Sequence, residues 1–192
     1  MTPFRPFAAN VAWAAAIGGI AYGLFFVVIG NRGVAAVLLL VGGVLTALLI
    51  SGLSKSVETL NEPGARLAAM IGSIGAVGSS IHGGYDLAKL IHPPDENLLA
   101  DFPNPTDPRG LATFGLVGLA FLIVATLMAT SDLYPRRLAR LGQLLGVVMI
   151  VIYLGRLIIL DPTNPIVRVA LAAGVLSNTA FLVWLGTVWR KG

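Results

Sequence analysis

Residues 66 to 92 read RLAAMIGSIGAVGSSIHGGYDLAKLIH, and this stretch decides the fold. It is long enough for a helix that crosses a bilayer, because about 20 mostly apolar residues span the hydrocarbon core. On a helix that advances about 100° per residue, five polar side chains in its second half fall within an arc of about 120°. These five are His82, Tyr85, Asp86, Lys89 and His92. The stretch is therefore predicted to be a membrane helix with one polar face.

The composition of the whole chain is that of a membrane protein. Its 192 residues are 56% hydrophobic and 11% charged, whereas soluble domains carry about 25% charged residues. Polar and charged residues are confined to short intervals between apolar runs of about 20 residues. The sequence predicts an all-α fold, a polytopic six-helix transmembrane bundle that forms a single integral membrane domain over residues 1–192. The predicted helices lie at about 7–30, 34–53, 65–92, 111–130, 138–160 and 166–189.

The distribution of basic residues predicts the orientation. Six crossings put both termini on one side, and eight of the 13 basic residues fall on that side. By the positive-inside rule, both termini are predicted to be cytoplasmic in the cell inner membrane. The Pro-rich acidic loop over residues 93–110 then faces outward. Trp13, Trp184 and Trp189 are expected to anchor the cytoplasmic boundary.

Two residues predicted to lie within the membrane need an explanation, since a charge at the bilayer centre costs about 2.5 to 3.5 kcal/mol on insertion scales. They are Asp86 and Arg156. One hypothesis is an ion pair of Asp86 with Arg156 or Lys89 that orients two helices without any chemistry. The other is a polar pocket open to the outside, lined by His82, Tyr85, Asp86, Lys89 and Arg156. Aligning helix three with helix five pairs His82 with Arg156, so these two side chains are expected at a similar depth.

Both histidines of the chain, His82 and His92, lie on helix three, and each is a candidate ligand or proton relay. They are about 15 Å apart along a helix axis, so they cannot hold one metal ion together. No cofactor is predicted, and metal binding is left open. His82 alone is compatible with a haem or chlorophyll, and a plain hydrogen bond to a neighbouring helix is the alternative.

Small residues make helix three narrow. Its glycines are predicted to allow tight helix packing, because small residues let backbones approach in lipid. They are Gly72, Gly75, Gly78, Gly83 and Gly84. A hinge at Gly83 and Gly84 is the alternative. On helix six, Ser177, Asn178 and Thr179 are expected to form hydrogen bonds between helices or to line a path.

Several function classes are excluded or disfavoured. The chain has no cysteine, so it has no disulfide and no Cys nucleophile. It also lacks G-x-S-x-G, H-E-x-x-H and P-loop motifs, which disfavours an enzyme. The basic residues are scattered along segment ends, which disfavours nucleic-acid binding.

The chain is predicted to be a non-catalytic accessory or scaffold subunit of a larger membrane assembly. Its partners would be the lipid bilayer and either other membrane subunits or further copies of itself. Two alternatives stay open. One is a small solute, ion or proton conductor that uses the polar pocket on helix three. The other is a tetrapyrrole-binding membrane subunit that uses His82.

Overall fold

The computed structural model describes residues 4–93, 112–159 and 164–191, and over these residues the protein is all-helical. The six predicted helices are confirmed there. They are α1 (Phe4–Gly23), α2 (Arg32–Val57), α3 (Glu62–Ile91), α4 (Val117–Ala129), α5 (Arg136–Ile158) and α6 (Pro165–Lys191). Two π-helical segments adjoin them: Leu24–Ile29 extends α1, and Ala112–Leu116 leads into α4. Apart from its first proline, the predicted outer loop lies outside the described residues.

Three helices begin at an asparagine: Asn31, Asn61 and Asn164. The first two accept a hydrogen bond from the backbone N–H three residues on, at 3.0 and 2.8 Å. Asn164 accepts one from two residues on, at 3.0 Å. A side-chain acceptor at this position satisfies an N–H group that has no partner inside the helix. For this reason α2 and α3 begin at Arg32 and Glu62, before the apolar runs that mark them in the sequence.

The six helices form a ring in chain order, in which each helix contacts the next and α6 returns to α1. Neighbouring helices run antiparallel. Between α5 and α6, for example, Gly142 meets Phe181, whereas Ile152 further along α5 meets Gly174. The first and last helices therefore place the described chain ends at one end of the ring, here called the termini end. The opposite end is called the Asp86 end.

Glycines bring α2 and α3 to backbone contact. A Cβ atom added to Gly83 would lie 2.5 Å from both the carbonyl oxygen of Ala36 and the amide nitrogen of Leu40. A Cβ atom added to Gly43 of α2 would lie 2.5 Å from the carbonyl oxygen of Ala76. Real Cβ atoms do not approach backbone this closely, so only glycine allows the two helices to cross at this distance.

The other predicted glycines of α3 are placed as follows. Gly72, Gly75 and Gly78 are buried along with Gly83. Gly84 is half-buried, and its Cβ would make only an ordinary contact, 3.7 Å from the side chain of Leu40. The sides of α3 that carry glycine therefore pack against the neighbouring helices of the ring.

The outer surface of the ring is apolar. Val27, Ile158 and Leu176 are 76%, 75% and 71% exposed. Five described helices are long and apolar enough to cross a membrane, and α4 belongs to a shorter apolar helix over Thr113–Ala129. A continuous apolar surface of this kind is typical of proteins that contact lipid or other proteins.

A chain of hydrogen bonds holds the termini end together. The indole N–H of Trp189 donates to the Tyr134 hydroxyl at 3.0 Å, and that hydroxyl donates to Ser56 Oγ at 2.6 Å. Ser56 in turn donates to the carbonyl of Leu53 at 2.6 Å. Trp189 and Tyr134 are both buried. These hydrogen bonds link α6 and the α4–α5 connection to α2. Trp189 therefore stabilises the packing of the helices, in addition to any role at the membrane boundary.

Removing the central hydroxyl is expected to loosen this end. Tyr134→Phe leaves the N–H of Trp189 and the hydroxyl of Ser56 without this partner, at a cost of about 1 to 3 kcal/mol. The measurement is the thermal unfolding midpoint of the purified protein in detergent. Ser54→Ala is the matched control, because the Ser54 hydroxyl is buried without a hydrogen-bond partner among the described residues. Its removal is expected to leave the midpoint unchanged or higher, and equal losses in the two variants would contradict this interpretation.

Candidate functional site: two adjoining cavities

The polar side chains of α3 pair along their own helix at the Asp86 end. His82 Nε2 lies 3.2 Å from a carboxylate oxygen of Asp86, one turn further on. The ammonium of Lys89 lies over the ring of Tyr85, with Nζ 4.7 Å from the ring centroid. A cation over an aromatic face is attracted by the ring quadrupole. The structure thus shows an ion pair of Asp86 with His82 of its own helix; the predicted pairing of Asp86 with Arg156 or Lys89 stays a prediction.

A cavity of about 280 Å³ lies between α1, α2 and α3 at this end. Its polar lining consists of Tyr22, Arg32, Asp86 and Lys89. We call it the charged cavity. Of the five residues predicted to form a polar pocket, it is therefore Asp86 and Lys89 that line this one.

The remaining predicted pocket residues lie close by. His82 and Tyr85 contact the cavity residues along α3 without lining the cavity themselves. Arg156 stands half-buried in the last turn of α5, at the same end of the ring as His82. Tyr22 of α1 and Asp86 of α3 line the same cavity.

A second cavity of about 230 Å³ lies at the centre of the ring, and all six helices or the π-helical segments next to them line it. We call it the central cavity. Its polar lining residues are Tyr22, Thr46, Ser79, Thr113, Asn178 and Thr179. No described residue of its lining is charged. Tyr22 and Leu39 line both cavities, so the two meet at these side chains.

The polar triplet of α6 divides between two roles. Ser177 is buried and donates to the carbonyl of Ala173 in its own helix at 2.7 Å. Asn178 and Thr179 line the central cavity instead. Within the described part of the chain, none of the three forms a hydrogen bond to another helix. Of the two expectations from the sequence, the path-lining one fits Asn178 and Thr179.

An aromatic pair lies on the side of the central cavity nearer the termini end. Phe121 lines the cavity, and its ring meets that of Phe181 edge to face, with centroids 5.6 Å apart and planes at 77°. Phe181 has no exposed surface. Edge-to-face contacts of this kind are favoured by the charge distribution of the rings. We call the pair the phenylalanine floor.

Both π-helical segments lie at the Asp86 end. Phe26 of the first lines the charged cavity, and Thr113 and Phe114 of the second line the central cavity. A π turn adds a residue to the helical repeat and is often found at functional sites. Both segments therefore contribute lining residues to the cavities.

The two histidines occupy different surroundings. His82 is mostly buried, with its Nε2 beside the Asp86 carboxylate. His92 is exposed at the end of α3, where its backbone N–H donates to the carbonyl of Ala88 at 2.8 Å. No group of three or more His, Asp or Glu side chains that could hold a metal ion occurs among the described residues.

The site defines the protein as a helical ring with an apolar outer surface and an uncharged cavity that adjoins a charged one. Comparison of the chain with protein-family models, curated proteins and solved structures gives no match. Its function therefore has to be inferred from geometry.

Proposed function

We propose that this chain is a multi-pass membrane protein that admits a small molecule through the charged cavity into the central cavity. The lengths and apolar surfaces of five helices support membrane insertion. The apolar helix over Thr113–Ala129 is near the short end of the range that spans a bilayer, about 17 to 25 residues. Six crossings follow, with both termini on one side.

The orientation proposed from the sequence fits the distribution of exposed charge. Eight basic side chains are exposed at the termini end: Arg5, Lys55, Arg66, Arg136, Arg137, Arg140, Arg190 and Lys191. An excess of positive charge marks the cytoplasmic side. The charged cavity would then open to the outside of the cell membrane.

A single observation carries the proposed function: the two cavities meet at Tyr22 and Leu39. A solute that enters among Arg32, Asp86 and Lys89 reaches the ring interior by passing those two side chains. Ligand cavities between the helices of a bundle are common sites for small molecules. The geometry thus favours the solute-handling alternative over a purely structural subunit.

The same geometry favours binding from one end over free conduction. We infer that the phenylalanine floor separates the central cavity from the termini end, because Phe121 lines the cavity and packs against the buried ring of Phe181. Passage across the ring would require Phe121 and Phe181 to part. The uncharged lining also gives an ion or a proton no charged relay across the centre.

The test uses the absence of native cysteine in the sequence. Thr179→Cys places a thiol in the central cavity, and Ala180→Cys places one on the exposed outer face of α6. A small uncharged, hydrophilic methanethiosulfonate reagent is added from the Asp86 side to protein in liposomes. We expect Thr179→Cys to react at least about tenfold faster, because a thiol facing lipid ionises poorly.

The proposal also predicts how that reaction is blocked. Gly42 lines the central cavity, and a Cβ added to it meets no atom within 4 Å. Gly42→Leu should therefore fill the cavity and protect Thr179→Cys. If the thiol at position 179 reacts no faster than the one at 180, or if Gly42→Leu gives no protection, the cavity is not reached from this end.

The other roles expected from the sequence remain predictions. The accessory or scaffold role is based on the small size of the chain, its short cytoplasmic loops and an outer loop suited to docking, and that loop lies outside the described residues apart from Pro93. Co-purification of a defined membrane partner, or of further copies of the chain, would support it. A tetrapyrrole held by His82 would give the purified protein a visible absorption band.

A further inference from the structure

The central cavity has a lining that selects against charge. Most of its lining residues are Gly, Ala, Leu, Val and Phe, and no described lining residue carries a charge. An ion that left water for such a site would lose its hydration shell and gain no opposite charge in return. A neutral molecule loses much less. The cavity chemistry therefore points to an uncharged occupant.

Two polar groups of the lining are available to a ligand. The Thr46 hydroxyl is already bonded to the carbonyl of Gly42 at 2.8 Å. By contrast, the amide of Asn178 and the hydroxyl of Thr179 have no hydrogen-bond partner among the described residues. Asn178 lies beside α1, where its Nδ2 would be 3.6 Å from a Cβ at Gly19. An amide offers two donors and an acceptor, and a hydroxyl offers one of each kind.

The size of the cavity limits the occupant. Apolar cavities of about 150 Å³ accept benzene, and the central cavity measures about 230 Å³. A single ring with a small polar substituent therefore fits.

We propose that the central cavity binds an uncharged, ring-sized amphipathic molecule whose hydroxyl or carbonyl group pairs with Asn178 and Thr179. This inference rests on the proposed function, since the molecule has to reach the cavity. The charged cavity keeps the entrance to the central cavity hydrated. The apolar lining of the central cavity contacts the ring of the bound molecule. Tyr22 adds a phenol where the two cavities meet.

Four probes with the same ring separate the alternatives: benzyl alcohol, toluene, benzoate and benzylamine. Binding is measured by equilibrium dialysis against the full chain in lipid nanodiscs. Discs that carry Gly42→Leu are the reference, because they have the same lipid and a filled cavity. We expect benzyl alcohol to bind about tenfold more tightly than the other three, since about one hydrogen bond separates it from toluene. Gly42→Leu should abolish the saturable part of benzyl alcohol binding.

Asn178→Leu tests the polar contact itself. It should lower the affinity for benzyl alcohol to that for toluene and leave toluene unchanged. Benzoate or benzylamine binding as tightly as benzyl alcohol would overturn the uncharged class, and equal binding of toluene would overturn the polar contact. If Thr179→Cys is labelled but no probe distinguishes wild type from Gly42→Leu, this inference fails and the proposed function stands. An unlabelled Thr179→Cys overturns both.

Discussion

Gly43→Ala is expected to destabilise the protein by about 1 to 3 kcal/mol, whereas Gly42→Ala, one residue earlier, should be neutral or stabilising by up to about 1 kcal/mol. A Cβ at position 43 would lie 2.5 Å from the carbonyl oxygen of Ala76 and 2.7 Å from the amide nitrogen of Ser80. Both atoms are backbone, so α2 and α3 would have to separate. A Cβ at position 42 meets no atom within 4 Å and gains from the better helix propensity of alanine.

The separation would also break a hydrogen bond across the same contact. The Ser80 hydroxyl donates to the carbonyl of Leu40 at 2.9 Å. In lipid, helices associate through close contact and hydrogen bonds and not through a hydrophobic drive between them. The loss at this contact is therefore expected to affect the fold of the whole ring.

The measurement is the thermal unfolding midpoint of both variants in the same detergent. Gly83→Ala provides an independent check, because its Cβ would meet the backbone of Ala36 and Leu40 at 2.5 Å. It should behave like Gly43→Ala. A loss in Gly42→Ala as large as that in Gly43→Ala would show that helix flexibility, and not the contact with α3, sets the role of these glycines.

The sequence predicts the helices well because apolar length is a local property of the chain. Five of the six described helices begin earlier in the structure than the sequence predicts. In α2 and α3 the reason is that the polar first turns after Asn31 and Asn61 belong to the helices. At the starts of α2 and α3, the hydrogen bond from the capping asparagine stabilises the first turn although the residues of that turn are polar. The periodicity of α3 also predicts that its polar side chains share a face. It cannot predict their partners, because His82 with Asp86 and Tyr85 with Lys89 are local pairs that compete with interhelical ones.

The cavities could not be predicted in full from the sequence, because they depend on the order of the ring. Tyr22 stands alone in the first apolar run and gives no periodic signal, yet it lines both cavities. Thr46 is similarly isolated in α2. Asn178 and Thr179 are recognisable in the sequence as polar residues of an apolar helix. Only the position of α6 between α5 and α1 shows that they face inward while Ser177 bonds to its own helix.

Phe181→Ala is expected to have the largest effect on stability, a loss of about 3 to 5 kcal/mol. The ring of Phe181 has no exposed surface and fits against Gly142, where an added Cβ would lie 2.8 Å from Cε2. It also makes the edge-to-face contact with Phe121 at 5.6 Å. Removing the ring leaves a void next to the central cavity and removes half of the phenylalanine floor. The thermal unfolding midpoint of the purified variant measures the loss.

The phenylalanine floor also leads to an expectation about access of reagent to the central cavity, which a stability measurement would not test. In a Thr179→Cys background, Phe181→Ala should let the thiol react with reagent added from the termini side, where the parent variant is protected. Phe181→Leu, which keeps much of the volume, should lose less stability and keep that protection. Trp184→Ala removes a large, partly exposed side chain from the same helix. It should neither lower the stability as Phe181→Ala does nor expose the thiol to reagent from the termini side. If Phe181→Ala folds and the thiol still reacts only from the Asp86 side, Phe121 and its neighbours close the cavity without the second ring, and the floor is misassigned.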